Sequence, residues 1–152
     1  MKPKILVGLD GSPRQSLVLE RAVHFAELHG AELHLARAVT VPVHLPAEVW
    51  AVDGQMLTDM LLGQAQTELT EIAATLPPAT SPHVHVRVGV AADVLCQLAD
   101  ELGATLVVLG THGYQMLDRV LGTTAAKVVN RANTSVLVVR PAPGTGEEVA
   151  PP

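Results

Sequence analysis

Five short apolar runs, each but the last followed by a segment with helical spacing, constrain this chain more than any other feature. The runs are Ile5-Leu6-Val7-Gly8-Leu9, Leu33 to Val39, Val84 to Val88, Leu106-Val107-Val108-Leu109 and Ser135 to Arg140. Between them, Leu19, Ala22, Val23 and Ala26 recur at helical intervals, as do Met56, Met60, Leu61, Ala65, Leu69, Ile72 and Leu76, and then Val94, Leu95, Leu98 and Leu102. A fourth helix is expected over roughly Leu117 to Ala132. Such alternation predicts a mainly parallel sheet with helices on both faces, joined by right-handed crossovers. Leu106 to Leu109 shows no polar alternation, as a strand buried on both faces requires.

The punctuation supports these boundaries. Asp10-Gly11-Ser12-Pro13 stops the first strand; Ser12 suits a helix cap, Pro13 a first helical position, and Gln15 the reciprocal partner of a capping box. Gly30 and Gly103 suit helix ends, and Pro77-Pro78 ends the second helix. Pro42 and Pro46 predict an irregular loop reaching Gly54. One domain over 1–141 is expected, with a disordered tail over 142–152 rich in Pro, Gly, Ala and Glu.

Composition narrows the partners. A net charge of −5 repels phosphate backbones and anionic lipid headgroups, so neither nucleic acid nor a membrane surface is expected as a partner. Phe25, Trp50 and Tyr114 are the only aromatic side chains of the Phe, Tyr and Trp class, too few to stack a single strand. Cys96 is the single cysteine, which rules out an intrachain disulfide and fits a reducing compartment. The first apolar run is too short for a signal-peptide core, and no run approaches the roughly 20 residues that span a bilayer. A soluble, cytoplasmic protein is expected.

Parallel sheets of this kind bind ligands beyond the carboxyl ends of their strands, near the reversal of strand order. There the sequence places Gly110-Thr111-His112-Gly113, followed by Gly122-Thr123-Thr124 at a helix start. Glycines allow close backbone approach, and amides at a helix start attract anions. With the two threonine hydroxyls they suit a di- or triphosphate; the same glycines could equally only turn the chain and pack helix against strand. Neither a Walker A loop nor a GxGxxG fingerprint is present. Asp10 ends the first strand, where its carboxylate could accept from a ribose or an adenine amino group, or could fix the turn. His112 could donate to phosphate or hold its own loop. Arg119, with Tyr114, could cover a ligand or form a solvated face. His34, His83 and His85 share a strand face and could in principle hold zinc, but no short ligand motif supports this and no metal ligand is assigned. Cys96 reads as a small core residue.

Asp10-Gly11-Ser12, the strand ending Leu35-Ala36-Arg37-Ala38-Val39, Val88-Gly89, Leu106 to Gly113, Gly122-Thr123-Thr124-Ala125 and the closing Ser135 to Arg140 together resemble the universal stress protein family, in order, from about Lys4 to Arg140. The resemblance implies a Rossmann-like, adenine nucleotide alpha hydrolase-like α/β fold with an open five-stranded parallel sheet in the order 3-2-1-4-5. It points to the ATP-binding branch: Gly110, Gly113, Gly122 and Thr123 match the phosphate loop, with Thr111, His112, Arg119 and Thr124 beside it. Asp10 matches the aspartate at the adenosine end, and Ala38 or Val39 the adenine wall. The implied ligand is ATP, or AMP or ADP, with Mg or Mn held through the phosphates. Eight residues, Tyr114 to Leu121, separate Gly113 from Gly122, one fewer than the family spacing, and this bears on the γ-phosphate more than on adenosine. The implied role is a stress-response regulatory module, a homodimer through the last strand, Thr134 to Arg140. No catalytic residue is assigned, and at most weak ATP hydrolysis is expected, because the loop carries no lysine to meet a γ-phosphate. A nucleotide-free interaction protein and a slow ATPase are the alternatives.

Overall fold

The computed structural model describes residues 1–42, 44, 46–111 and 121–142, with side chains throughout except at 49–53. Five strands alternate with four α-helices: β1 (Lys4–Gly8), α1 (Gln15–His29), β2 (Glu32–Val39), α2 (Ala47–Thr75), β3 (His83–Val88), α3 (Ala91–Leu102), β4 (Leu106–Gly110), α4 (Thr123–Arg131) and β5 (Ser135–Val139). A short 3-10 turn, Pro78–Thr80, precedes β3. All four pairings are parallel and the order is β3-β2-β1-β4-β5, as the sequence predicted.

Each strand sends alternate side chains to opposite faces. Ile5, Val7, Leu33, Leu35 and Val108 meet Val18, Ala22 and Ala26 of α1 and Leu69 of α2. Leu6, Ala36, Val107 and Leu109 meet Ala92, Leu95, Leu98 and Ala99 of α3 and Ala125 and Val128 of α4. Two cores, one on each side of the sheet, explain why the central strands read as unbroken apolar runs. Helices α1 and α3 both end on a left-handed glycine, Gly30 and Gly103, whose N–H groups return to the last turn.

Three boundaries differ from the sequence reading. The α1 helix begins at Gln15, with Arg14 as its cap, because Asp10 Oδ1 accepts the Ser12 N–H at 2.9 Å and holds Ser12 and Pro13 in a turn. Gln15 does reach back, but to the Gly11 N–H at 3.1 Å. The expected loop up to Gly54 is helical from Ala47 onward. Pro46 precedes the helix without interrupting it, Glu48 complements the dipole in the first turn, and an isolated internal glycine costs only about 1 kcal/mol. The α4 helix starts at Thr123, so Leu121 and Gly122 lie before it, Gly122 as its cap; 117–120 and the tail from 143 onward lie outside the described residues.

The α2 helix is 29 residues long, yet its fully buried side chain is Leu69, four residues after buried Ala65. Met56 and Met60, on the same stripe by helical spacing, are 71% and 61% exposed. Leu69 therefore pins α2 to β2 and β3. Leu69→Ala is expected to destabilise the fold by about 2–5 kcal/mol, read as a lower urea midpoint, whereas Met56→Ala should stay within about 0.5 kcal/mol of the parent.

Candidate functional site

The strand order reverses at β1, whose neighbours β2 and β4 leave toward opposite faces. A cavity of about 150 Å³ opens there, at the carboxyl ends of β1, β2 and β4. Its floor is apolar and made of small side chains, chiefly Ala36 and Ala38, with Leu95 and Leu109 beside them. Asp10, Ser12, Arg14 and Gln15 form one rim, and Gly110, Thr111 and Thr124 the other. Two glycines set its shape by close approach. A Cβ on Gly8 would stand 2.9 Å from Leu95 Cδ1, and one on Gly110 would stand 3.0 Å from Val18 Cγ2. Their absence of side chains lets α3 and α1 close against the strand ends.

The Asp10 rim is held from beneath by Arg37, which the sequence reading passed over. Its side chain is 10% exposed; Nε donates to the Leu9 carbonyl at 3.2 Å and an Nη to Gln15 Oε1 at 3.3 Å. The other Nη donates to the Glu68 carboxylate and holds that carboxyl below its ordinary range. Because Gln15 Oε1 also accepts the Gly11 N–H, one guanidinium ties β2, α2 and the β1–α1 turn together. A lone arginine inside a buried apolar strand was the available signal.

On the opposite rim, Gly122 caps α4 without a side-chain contact, and its carbonyl accepts the Ala126 N–H at 2.9 Å. Thr123, Thr124 and Ala125 occupy the first turn, whose amides have no acceptor within a helix and carry the positive end of its dipole. Thr124 lines the cavity, so this helix end borders it.

The expected residues divide as follows. Asp10, Ala38, Gly110, Thr111 and Thr124 share the cavity. Gly122 and Thr123 stand at the head of α4 but not on the cavity lining. Val39, the alternative to Ala38, is buried and does not line the cavity, because strand alternation turns it to the face of β2 opposite Ala38. The Thr111 N–H is bonded to the Val139 carbonyl at 3.2 Å, one step beyond the β4–β5 ladder. His112, Gly113 and Arg119 lie outside the described residues. Cys96 packs against the α3–α4 core, and burial pushes its thiol up.

The comparisons agree with this geometry. The model of the universal stress protein family matches residues 1–140. Universal stress protein A homolog 1 of Coxiella burnetii is 32% identical over 136 residues, covering 89% of this chain and 94% of that protein. The structure of the universal stress protein UspA from Lactobacillus plantarum superposes with a TM-score of 0.76 at 25% identity, covering 91% of this chain and 97% of that one. A universal stress protein in complex with cAMP superposes with a TM-score of 0.60 at 28% identity, with the same two coverages. A chain matched along nearly its whole length by that family's model, and sharing its sheet order and helix placement, belongs to the universal stress protein family.

Proposed function

We propose that the cavity binds an adenine nucleotide, and that the protein is a cytoplasmic regulatory module whose state follows nucleotide occupancy. The observation that carries this reading is the juxtaposition of a small-residue apolar floor with a carboxylate on one rim and a helix amino end on the other. A purine ring fits against Ala36 and Ala38, which expose no polar group to compete with it. Asp10 Oδ1 accepts from Ser12, and a carboxylate has further lone pairs for a ribose hydroxyl or an exocyclic amine. Phosphate falls toward Thr124, Thr123 and the amides heading α4, where the dipole and hydroxyls favour negative charge. The relative in complex with cAMP supports an adenine ligand for this fold.

The fit also ranks the ligands. With the Thr111 N–H engaged, the phosphate contacts concentrate on α4, so the adenosine and α-phosphate contribute more than the γ-phosphate. Mg or Mn, which the ATP-binding branch implies, would be held chiefly through the phosphates of ATP. We assign no nucleophile and no general base. The protein would then bind and report nucleotide rather than turn it over.

Dimerisation through Thr134 to Arg140 belongs to the same proposal. The β5 strand is at the sheet edge, so among the described residues one side of its backbone has no partner strand, and Val136, Leu137 and Val138 are only half-buried. An apolar edge of this kind is a template for pairing with a second copy.

Ala38→Leu should weaken ATP, AMP and cAMP alike by tenfold or more in calorimetric titration, because the new side chain occupies the floor. Gly122→Val should weaken ATP more than adenosine. Wild-type affinity in both variants would overturn the proposed site, and no bound nucleotide in the heated wild-type protein together with no thermal shift would favour an interaction protein instead. Phosphate release from ATP is expected to match that of Gly113→Val; an excess over that variant would make the protein a slow ATPase. Light scattering should give twice the chain mass of 15.9 kDa, and the monomer mass would remove the dimer.

A further inference from the structure

The opposite end of the same sheet carries a second constellation. Glu32 and His34 are two residues apart on β2, and His83 and His85 two apart on β3. The register sets His34 beside His83 and Ala36 beside His85, so alternation brings all four side chains to one face. The His34 and His83 rings stack with centroids 4.6 Å apart and planes 11° from parallel. His34 Nδ1 lies 3.0 Å from His85 Nε2.

His34 is 5% exposed, and its Nε2 is buried with no hydrogen-bond partner among the described residues. The nearest carboxylate oxygen, Glu32 Oε2, is 3.8 Å away, beyond hydrogen-bond reach. A buried polar atom without a partner is costly and calls for an explanation. In the tautomer whose Nδ1–H donates to His85, Nε2 presents a lone pair on the side of the Glu32 carboxylate. Lys4, on the adjoining strand, directs its Nζ to the Leu102 carbonyl at 3.2 Å.

We propose that Glu32, His34 and His83 form a site for a divalent transition-metal ion, zinc in preference, at the amino-terminal ends of β2 and β3. One ligand atom from each lies within 4.8 Å of the other two. Bonds of about 2.0–2.2 Å in a tetrahedron place ligand atoms roughly 3.3–3.6 Å apart, so exposed His83 must leave its stack on His34 and swing its ring out of parallel to complete the set. Two imidazoles and one carboxylate suit zinc, copper or nickel far better than magnesium or calcium. A fourth position is left for water. His85 acts through His34, holding the tautomer that leaves Nε2 open, as outer partners of metal-bound histidines do. The site is roughly 13–20 Å along β2 from Ala38, counting about 3.3 Å per residue from His34 and from Glu32, and does not depend on nucleotide binding. Its physical effect is to clasp the edge strand β3 to β2.

Full-length protein stripped with a chelator is titrated with zinc chloride by calorimetry and thermal melting, without nucleotide. One zinc per chain and a raised melting temperature are expected. His83→Ala and Glu32→Gln, both at sites outside the core, should each weaken zinc by about 10–100-fold while the metal-free protein melts as the parent does. His85→Leu should weaken zinc about tenfold and His85→Gln, which keeps an acceptor, by less; Cys96→Ser should bind as wild type. Absence of zinc binding in the wild type, undiminished affinity in both His83→Ala and Glu32→Gln, or loss of zinc in Cys96→Ser would overturn the site.

Discussion

Everything else in this molecule depends on β1 being clamped from four directions. Its backbone is paired to β2 on one side and β4 on the other, while Leu6 and Val7, neither exposed at all, enter the two opposite cores. Because α1 and α2 cover one face and α3 and α4 the other, the chain leaves β1 and β4 in opposite directions. A crevice at their ends is then a geometric necessity rather than a local specialisation. What the sequence adds is a lining small enough to keep the crevice open: Gly8, Ala36, Ala38 and Gly110 stand where larger side chains would close it.

Much of this was legible in advance because burial on both faces leaves a plain mark. A strand such as Leu106 to Leu109 cannot alternate with polar residues when helices press on it from above and below. The glycines closing α1 and α3 were equally readable, each marking a left-handed residue after a periodic segment. The amino end of α2 was not, because Pro46 and Gly54 carry the same local meaning in a loop as in a helix that starts at one and tolerates the other.

The candidate site was legible in outline and less so in detail. Strand parity sets Ala38 on the cavity and Val39 on the opposite face of β2, and which face meets which helix pair is a tertiary fact. That the Thr111 amide is spent on the β4–β5 ladder, one bond past the strand end, is a tertiary fact of the same kind. Arg37 went unnoticed because a sequence does not say where a guanidinium will point; here it supports the Asp10 turn from the α1–α2 face of the sheet. The histidines show the reverse case. Their alternation was visible, yet only the packed structure reveals that His34 ends up buried with one ring nitrogen unmatched.

The length of α2 has a mechanical consequence. Twenty-nine residues at 1.5 Å each extend about 43 Å, whereas the eight residues of β2 extend only about 26 Å. The helix must therefore outrun the sheet it packs on, and Met56 and Met60 stand exposed on that overhang. Main-chain hydrogen bonds in that overhang can open singly, at little energetic cost, while those beside Leu69 open only when the sheet itself comes apart. One continuous helix thus contains two regimes of amide exchange, separated near Ala65.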